Sequence, residues 1–150
     1  MKYYFFLFML FLLTNCQLQD NNSPESVDKP LSAWAEAYFN FDYKEALEYM
    51  TPESEKWIRF TATNITQQDI DFIKEQGKTP RIEILNRHIL ADDTTCTASI
   101  RVSDFVQLGF VGKDNKVVDQ AEYQITLVKH NGEWLVRMEG QPQSERQSRD

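Results

Sequence analysis

Glycine is scarce in this 150-residue sequence: there are five, at 77, 109, 112, 132 and 140, and each stands alone at a break between patterned segments. That scatter leaves no Gly-rich loop to cradle a phosphate, which excludes the common nucleotide-binding motifs. Histidine is scarcer, with only His88 and His130, and two cysteines at 16 and 96 add no metal-ligand spacing to them. The expectation is therefore no metal and no cofactor. No apolar run reaches the roughly 20 residues that a membrane-spanning helix needs. Positive charge is also short, with 16 Lys and Arg against 23 Asp and Glu, for a net −7. Such acidity argues against nucleic acid or anionic headgroups as partners.

What is present begins with an address. Lys2 precedes eleven unbroken apolar or aromatic residues, 3–13, which is signal-peptide length. Leu13-Thr14-Asn15-Cys16 follows and resembles the lipobox of bacterial lipoproteins, with Asn15 where those proteins usually carry Gly, Ala or Ser. The resemblance implies cleavage before Cys16, lipidation of that cysteine with acyl chains such as palmitate, and a lipid bilayer as partner. It places the protein in the bacterial cell envelope, at the outer membrane, on its periplasmic or surface face. Each buried methylene adds about 0.8 kcal/mol and two chains suffice for stable anchoring. Residues 1–15 then form the signal peptide, 16–27 a polar flexible tether, 28–139 the folded domain, and 140–150, which lack any apolar residue, a disordered tail. Losing Lys2 takes the net charge from −7 to −8. With Cys16 consumed, Cys96 has no partner for a disulfide and reads as a small core residue.

Helical periodicity dominates the first half of the domain. Asp28 and Pro30 open a helix whose Leu31, Trp34, Ala35, Tyr38 and Phe39 make one apolar stripe. Asp42-x-x-Glu45 has capping-box form and starts a second stripe of Tyr43, Ala46, Leu47 and Met50. Thr51-Pro52 begins a third helix with Trp57, Ile58 and Phe60 on its apolar side. Thr66 with Asp69 caps a fourth, carrying Ile70 and Ile73 and stopped by Gly77.

The period then changes to two. Cys96, Ala98, Ile100 and Val102 alternate with Thr97, Ser99 and Arg101, and Val106, Leu108 and Phe110 prolong the apolar parity. Asn131-Gly132 is a strong hairpin signal that pairs Leu127 with Val136 and Ile125 with Met138. A turn at Asp114-Asn115 pairs Val102 with Leu127 and Val106 with Tyr123. For the first strand two registers stand open. A three-residue turn at 91–93 turns Ile82, Ile84 and His88 inward; a two-residue turn at Asp92-Asp93 turns Leu85 and Ile89 inward.

The expected fold is α+β, with N-terminal helices packed on a curved, mostly antiparallel four-stranded sheet that forms a cone. The phrase AEAYFNFDYKEAL at 35–47 and the ending NGEWLVRM at 131–138 resemble the nuclear-transport-factor-2-like, or cystatin-like, superfamily. That resemblance covers most of the domain but rests on structural motifs. It implies a site between sheet and helices, and the superfamily includes isomerases, cyclases and dehydratases besides non-enzymatic binding domains.

Candidate site residues follow from polarity out of place. Asp104 falls in the apolar parity of its strand with Tyr123 as diagonal neighbour, so a desolvated Asp/Tyr pair is one reading. The other is a β-bulge at Ser103-Asp104 that turns the carboxylate to water. Tyr38, Trp57, Asp104, Tyr123 and Trp134 are candidates to line a ligand pocket, although aromatics at such spacing are more often core. Phe105 and Val111 fall on the otherwise polar face and are candidates for contact with a partner chain. The leading functional reading is a non-enzymatic envelope lipoprotein domain that binds a small apolar molecule or a protein partner. The alternatives are an isomerase-, dehydratase- or cyclase-like enzyme, and a subunit that forms a homodimer through its sheet.

Lipidation is directly testable. Cys16→Ser is expected to abolish labelling of the protein by a fatty-acid analogue in cells and to leave the precursor uncleaved; normal labelling would refute the anchor.

Overall fold

Residues 23, 25–110 and 112–147 are described by a computed structural model of the chain. The first helix, α1 (Glu25–Phe39), starts three residues earlier than Asp28, and Val27, expected in the tether, is fully buried. Its stripe behaves as the spacing demands: Leu31, Trp34 and Ala35 are completely buried and Phe39 nearly so. Asp42 then caps α2 (Tyr43–Ala46) by accepting the Glu45 N–H at 3.1 Å, and a 3-10 turn over Leu47–Tyr49 extends it. A second 3-10 turn (Pro52–Ser54) leads into α3 (Glu55–Thr63), which buries Ile58 but leaves Phe60 exposed, against expectation. The Thr66–Asp69 capping box forms reciprocally at the start of α4 (Gln67–Gln76), and Gly77 closes that helix with a φ of +54°.

Five strands follow: β1 (Arg81–Ile89), β2 (Thr95–Gln107), β3 (Lys116–His130), β4 (Glu133–Arg137) and β5 (Ser144–Gln147). The sheet is open, antiparallel and ordered β1-β2-β3-β4, with β5 also on β3. It is covered on one face by α1, which packs on β1, β2 and β4. This is an α+β fold. The fifth strand corrects the expectation of a disordered tail: its backbone pairs with Ala121–Tyr123 although its sequence is wholly polar.

Registers were legible to different degrees. Leu127 does pair with Val136 across the Asn131-Gly132 turn. The β2–β3 register differs from the expected one by six residues, with Cys96 opposite Leu127 and Ile100 opposite Tyr123. An even displacement keeps every side chain on its face, so the inner face was assigned correctly from a wrong turn. Asn115 accounts for the difference, because it serves the wide connection instead of a tight turn. Its side-chain oxygen accepts the Gly109 N–H at 2.9 Å and its amide donates to Asp69 on α4 at 2.7 Å. That bond and the Thr66 cap hold the Asp69 carboxyl below the usual carboxylate range.

Both registers proposed for β1 occur, one in each half. Ile82 and Ile84 face Val102 and Ile100, a bulge at Leu85 shifts the pairing, and beyond it Ile89 faces Cys96. His88 is thereby turned to solvent, and Arg87 is brought to Asp28 of α1 in a two-pronged ion pair, half-buried, between residues distant in sequence.

One buried polar node ties the helices to the last strands. Ser54, fully buried, accepts the Met138 N–H at 2.8 Å and lies 2.8 Å from the Thr51 hydroxyl, while Thr51 N–H donates to Val136 C=O at 2.9 Å. Ser54→Ala is expected to orphan the Met138 N–H and cost about 1–3 kcal/mol. The measurement is the urea midpoint at unchanged slope; a midpoint equal to wild type would refute the assignment.

Candidate functional site

The site begins with two aspartates that strand alternation would bury. Asp104 on β2 and Asp119 on β3 both hold inward parity, and a buried carboxylate without a partner costs several kcal/mol. The ladder omits this pair: Ser103 pairs with Gln120 and Phe105 with Val118, with nothing between. Asp104 adopts a φ of +55°, a left-handed conformation that Asp tolerates. Neither strand gains a residue, so the register continues past the break, and Phe105 is buried next to Val106. Phe105 and Val118 swing into the core, at 1% and 6% exposure.

Phe105 then meets Phe39 of α1 and Tyr123 of β3, with ring centroids 5.3 and 6.2 Å away and Phe39–Tyr123 at 5.1 Å. This triangle floors a cavity of about 260 Å³ between the α1–α2 junction, the outer part of the β2–β3 hairpin and the segment before β5. Tyr38, Phe41 and Tyr43 form a side wall, and Lys113 and Gln141 lie at the rim. Phe41 carries a φ of +65°, a conformation that costs a bulky residue roughly 1–2 kcal/mol. The hairpin end is held by a close backbone approach: a Cβ on Gly109 would sit 2.0 Å from the Lys113 carbonyl oxygen.

Electrostatically the cavity is a set of neutral hydroxyls. Burial raises the Tyr38 hydroxyl far above the usual 10.0, aided by the neighbouring Tyr43 and Tyr123, and burial does the same to Tyr43. Burial pushes Tyr123 up to about 12. At neutral pH all three are therefore hydrogen-bond donors without charge, set among aromatic rings. Such a lining suits an apolar molecule that carries an acceptor atom.

The sequence-derived candidates separate here. Tyr38 and Tyr123 line the cavity together. Asp104 does not: its carboxylate is 40% exposed and ion-paired with Arg81 at 2.6 Å. It stands four residues along the strand from Ile100, the partner of Tyr123, which is about 13 Å. The bulge-type reading was right in direction, and the Asp/Tyr pair does not form. Trp57 is half-buried outside the cavity, beside Lys56. Trp134 is core, its Nε1–H donating to Ser26 at 3.1 Å. Phe105, expected on the partner-facing side, is instead buried in the cavity floor, and Val111 lies outside the described residues, as does Cys16. Sequence reasoning missed Phe41 and Gln141. A signal for Phe41 existed, since residues 38–43 hold four aromatics, more than one helical stripe can bury.

Among the described residues no group of three or more His, Cys, Asp or Glu is arranged to hold a metal, and no helix is long and apolar enough to cross a membrane. No known protein-family profile matches this chain, and no curated protein does either. A solved structure with some likeness is a function-unknown protein from Mycobacterium tuberculosis, at 14% identity and a TM-score of 0.48, over 81% of this chain and 71% of that one.

The raised tyrosine values carry a sign. A hydroxyl whose folded value exceeds its unfolded value contributes stability that is intact below pH 10 and lost as pH climbs towards 12. The unfolding midpoint is expected to fall across that window, and Tyr123→Phe to lessen the fall. Ionisation of every tyrosine near pH 10 with the fold intact, read by near-ultraviolet absorbance, would contradict this.

Proposed function

We propose that this chain is a lipid-anchored envelope protein whose domain, of nuclear-transport-factor-2-like type, binds a small apolar molecule in the aromatic cavity without transforming it. The observation that carries the reading is the lining itself. Phe39, Phe105 and Tyr123 make its floor, and Phe41 is kept in its wall in spite of an unfavourable backbone conformation. Strain of this kind concentrates at ligand sites. Binding is favoured over catalysis because the described lining residues offer hydroxyls, amides and Lys113 at the rim, with no carboxylate, imidazole or thiol to move a proton near neutrality. The superfamily reading is supported by the order of helices before an antiparallel sheet and by the cavity at their junction. Lipidation at Cys16 would hold the domain close to the bilayer, since Glu25, where the first helix begins, follows only nine positions later in the sequence. Apolar molecules that partition into the membrane would then be within range.

Leu108 lines the cavity at 8% exposure, so Leu108→Trp fills it from a wall. The neutral dye N-phenyl-1-naphthylamine is expected to raise the thermal midpoint of the wild type and to shift that of the variant far less, with binding weakened about tenfold. An equal shift in both, or none in the wild type, would overturn the proposal.

A further inference from the structure

A second hollow lies where the ladder along one edge of β3 is interrupted. β4 pairs with β3 as far as Thr126, β5 resumes at Tyr123, and residues 138–143 loop away between them. Beneath that loop is a slot of about 420 Å³ with Trp34, Ile125, Val136 and Met138 in its walls. Trp34 is completely buried, and its Nε1–H meets no acceptor among the described atoms. Buried donors are rarely left so, because each forfeits its bonds to water for nothing in return. The loop also faces the aromatic cavity, with Gln141, Pro142 and Gln143 bordering both hollows. Its middle is tied back to the helices by the Gln141 amide donating to the Thr61 hydroxyl at 3.1 Å. At the rim, the Arg137 guanidinium is 3.5 Å from Glu139, a loop residue, with Arg137 about half and Glu139 mostly in solvent.

We propose that this slot is a second binding site, for an apolar monocarboxylate of the fatty-acid class, entered by displacement of residues 139–143. In the closed state the indole N–H has no partner among the described atoms; the occupied state gives it a carboxylate oxygen. That difference between the two states is what allows a ligand to shift the loop. Lifting the loop also takes Glu139 away from Arg137, which leaves a cation at the slot mouth for the same anion, while Ile125, Val136 and Met138 receive the apolar tail. The site rests on the orphaned donor and the broken ladder, and is independent of ligand binding in the aromatic cavity.

The test follows the indole N–H resonances of the full chain in neutral detergent during titration with hexanoate. The chain has three tryptophans. Their signals are assigned by Trp34→Phe, or by elimination with Trp57→Phe and Trp134→Phe should that variant not fold. The Trp34 signal is expected to move downfield and saturate while the other two stay in place. Gln141→Ala, which unties the loop, should tighten hexanoate binding about threefold or more. Leu108→Trp should add its own signal and leave the Trp34 response unchanged, which separates this site from the first cavity. A stationary Trp34 signal, equal movement of all three, unaltered affinity in Gln141→Ala, or loss of the response in Leu108→Trp would each overturn the proposal.

Discussion

Two carboxylates that cannot be buried shape this domain. Strand alternation would carry Asp104 and Asp119 to the covered face at paired positions, and the sheet gives up one rung of its ladder there. The loss is small beside the desolvation of two like charges. Everything at the mouth of the domain depends on that break. It sends Phe105 and Val118 inward, beside Val106, and directs Asp104 to Arg81. Without Phe105 the ring triangle with Phe39 and Tyr123 has no third member and the cavity has no floor. A residue that resembles a catalytic base in the sequence thus stands at the break that shapes an aromatic cavity elsewhere.

Polar groups in the interior are treated unequally, and the pattern separates scaffold from site. Ser54 and Thr51 are fully engaged with the backbone of β4 and the residue after it, which pins the 3-10 turn before α3 to the sheet. Asp28 and Arg87 lock α1 to the bulged half of β1. Around the two hollows the arrangement differs: the Tyr38, Tyr43 and Tyr123 hydroxyls are buried and uncharged, the Trp34 indole N–H meets no acceptor among the described atoms, and Phe41 stands in a conformation suited to glycine. Local costs of this sort persist when the surrounding structure over-determines them. Here α1, α2 and the β2–β3 hairpin do so from three sides.

The loop over residues 138–143 joins the two regions. It starts at the Ser54 node, passes between the hollows, and ends in a strand whose sequence has no apolar residue. β5 is held by backbone pairing on the edge of β3, the kind of interaction that side-chain patterning does not announce.

Local chemistry was legible because it acts within one turn of the chain. The caps at Asp42 and Thr66, the stop at Gly77, the Asn131-Gly132 hairpin and the inner face of β2 and β3 all follow from neighbours three or four residues apart, or from a period of two. By itself the sequence therefore determined an α+β arrangement with α1 buried by its Trp34–Phe39 stripe. It left β1 between two registers, and the structure uses both, because a bulge at Leu85 lets Ile82, Ile84 and Ile89 all face inward while Arg87 reaches Asp28. The turn between β2 and β3 was misplaced because Asn115 bonds Asp69 on another helix, a partner that no local pattern discloses. Tertiary structure alone decided that Asp104 leaves and Phe105 enters, since only the pairing of β2 with β3 brings a second aspartate opposite the first.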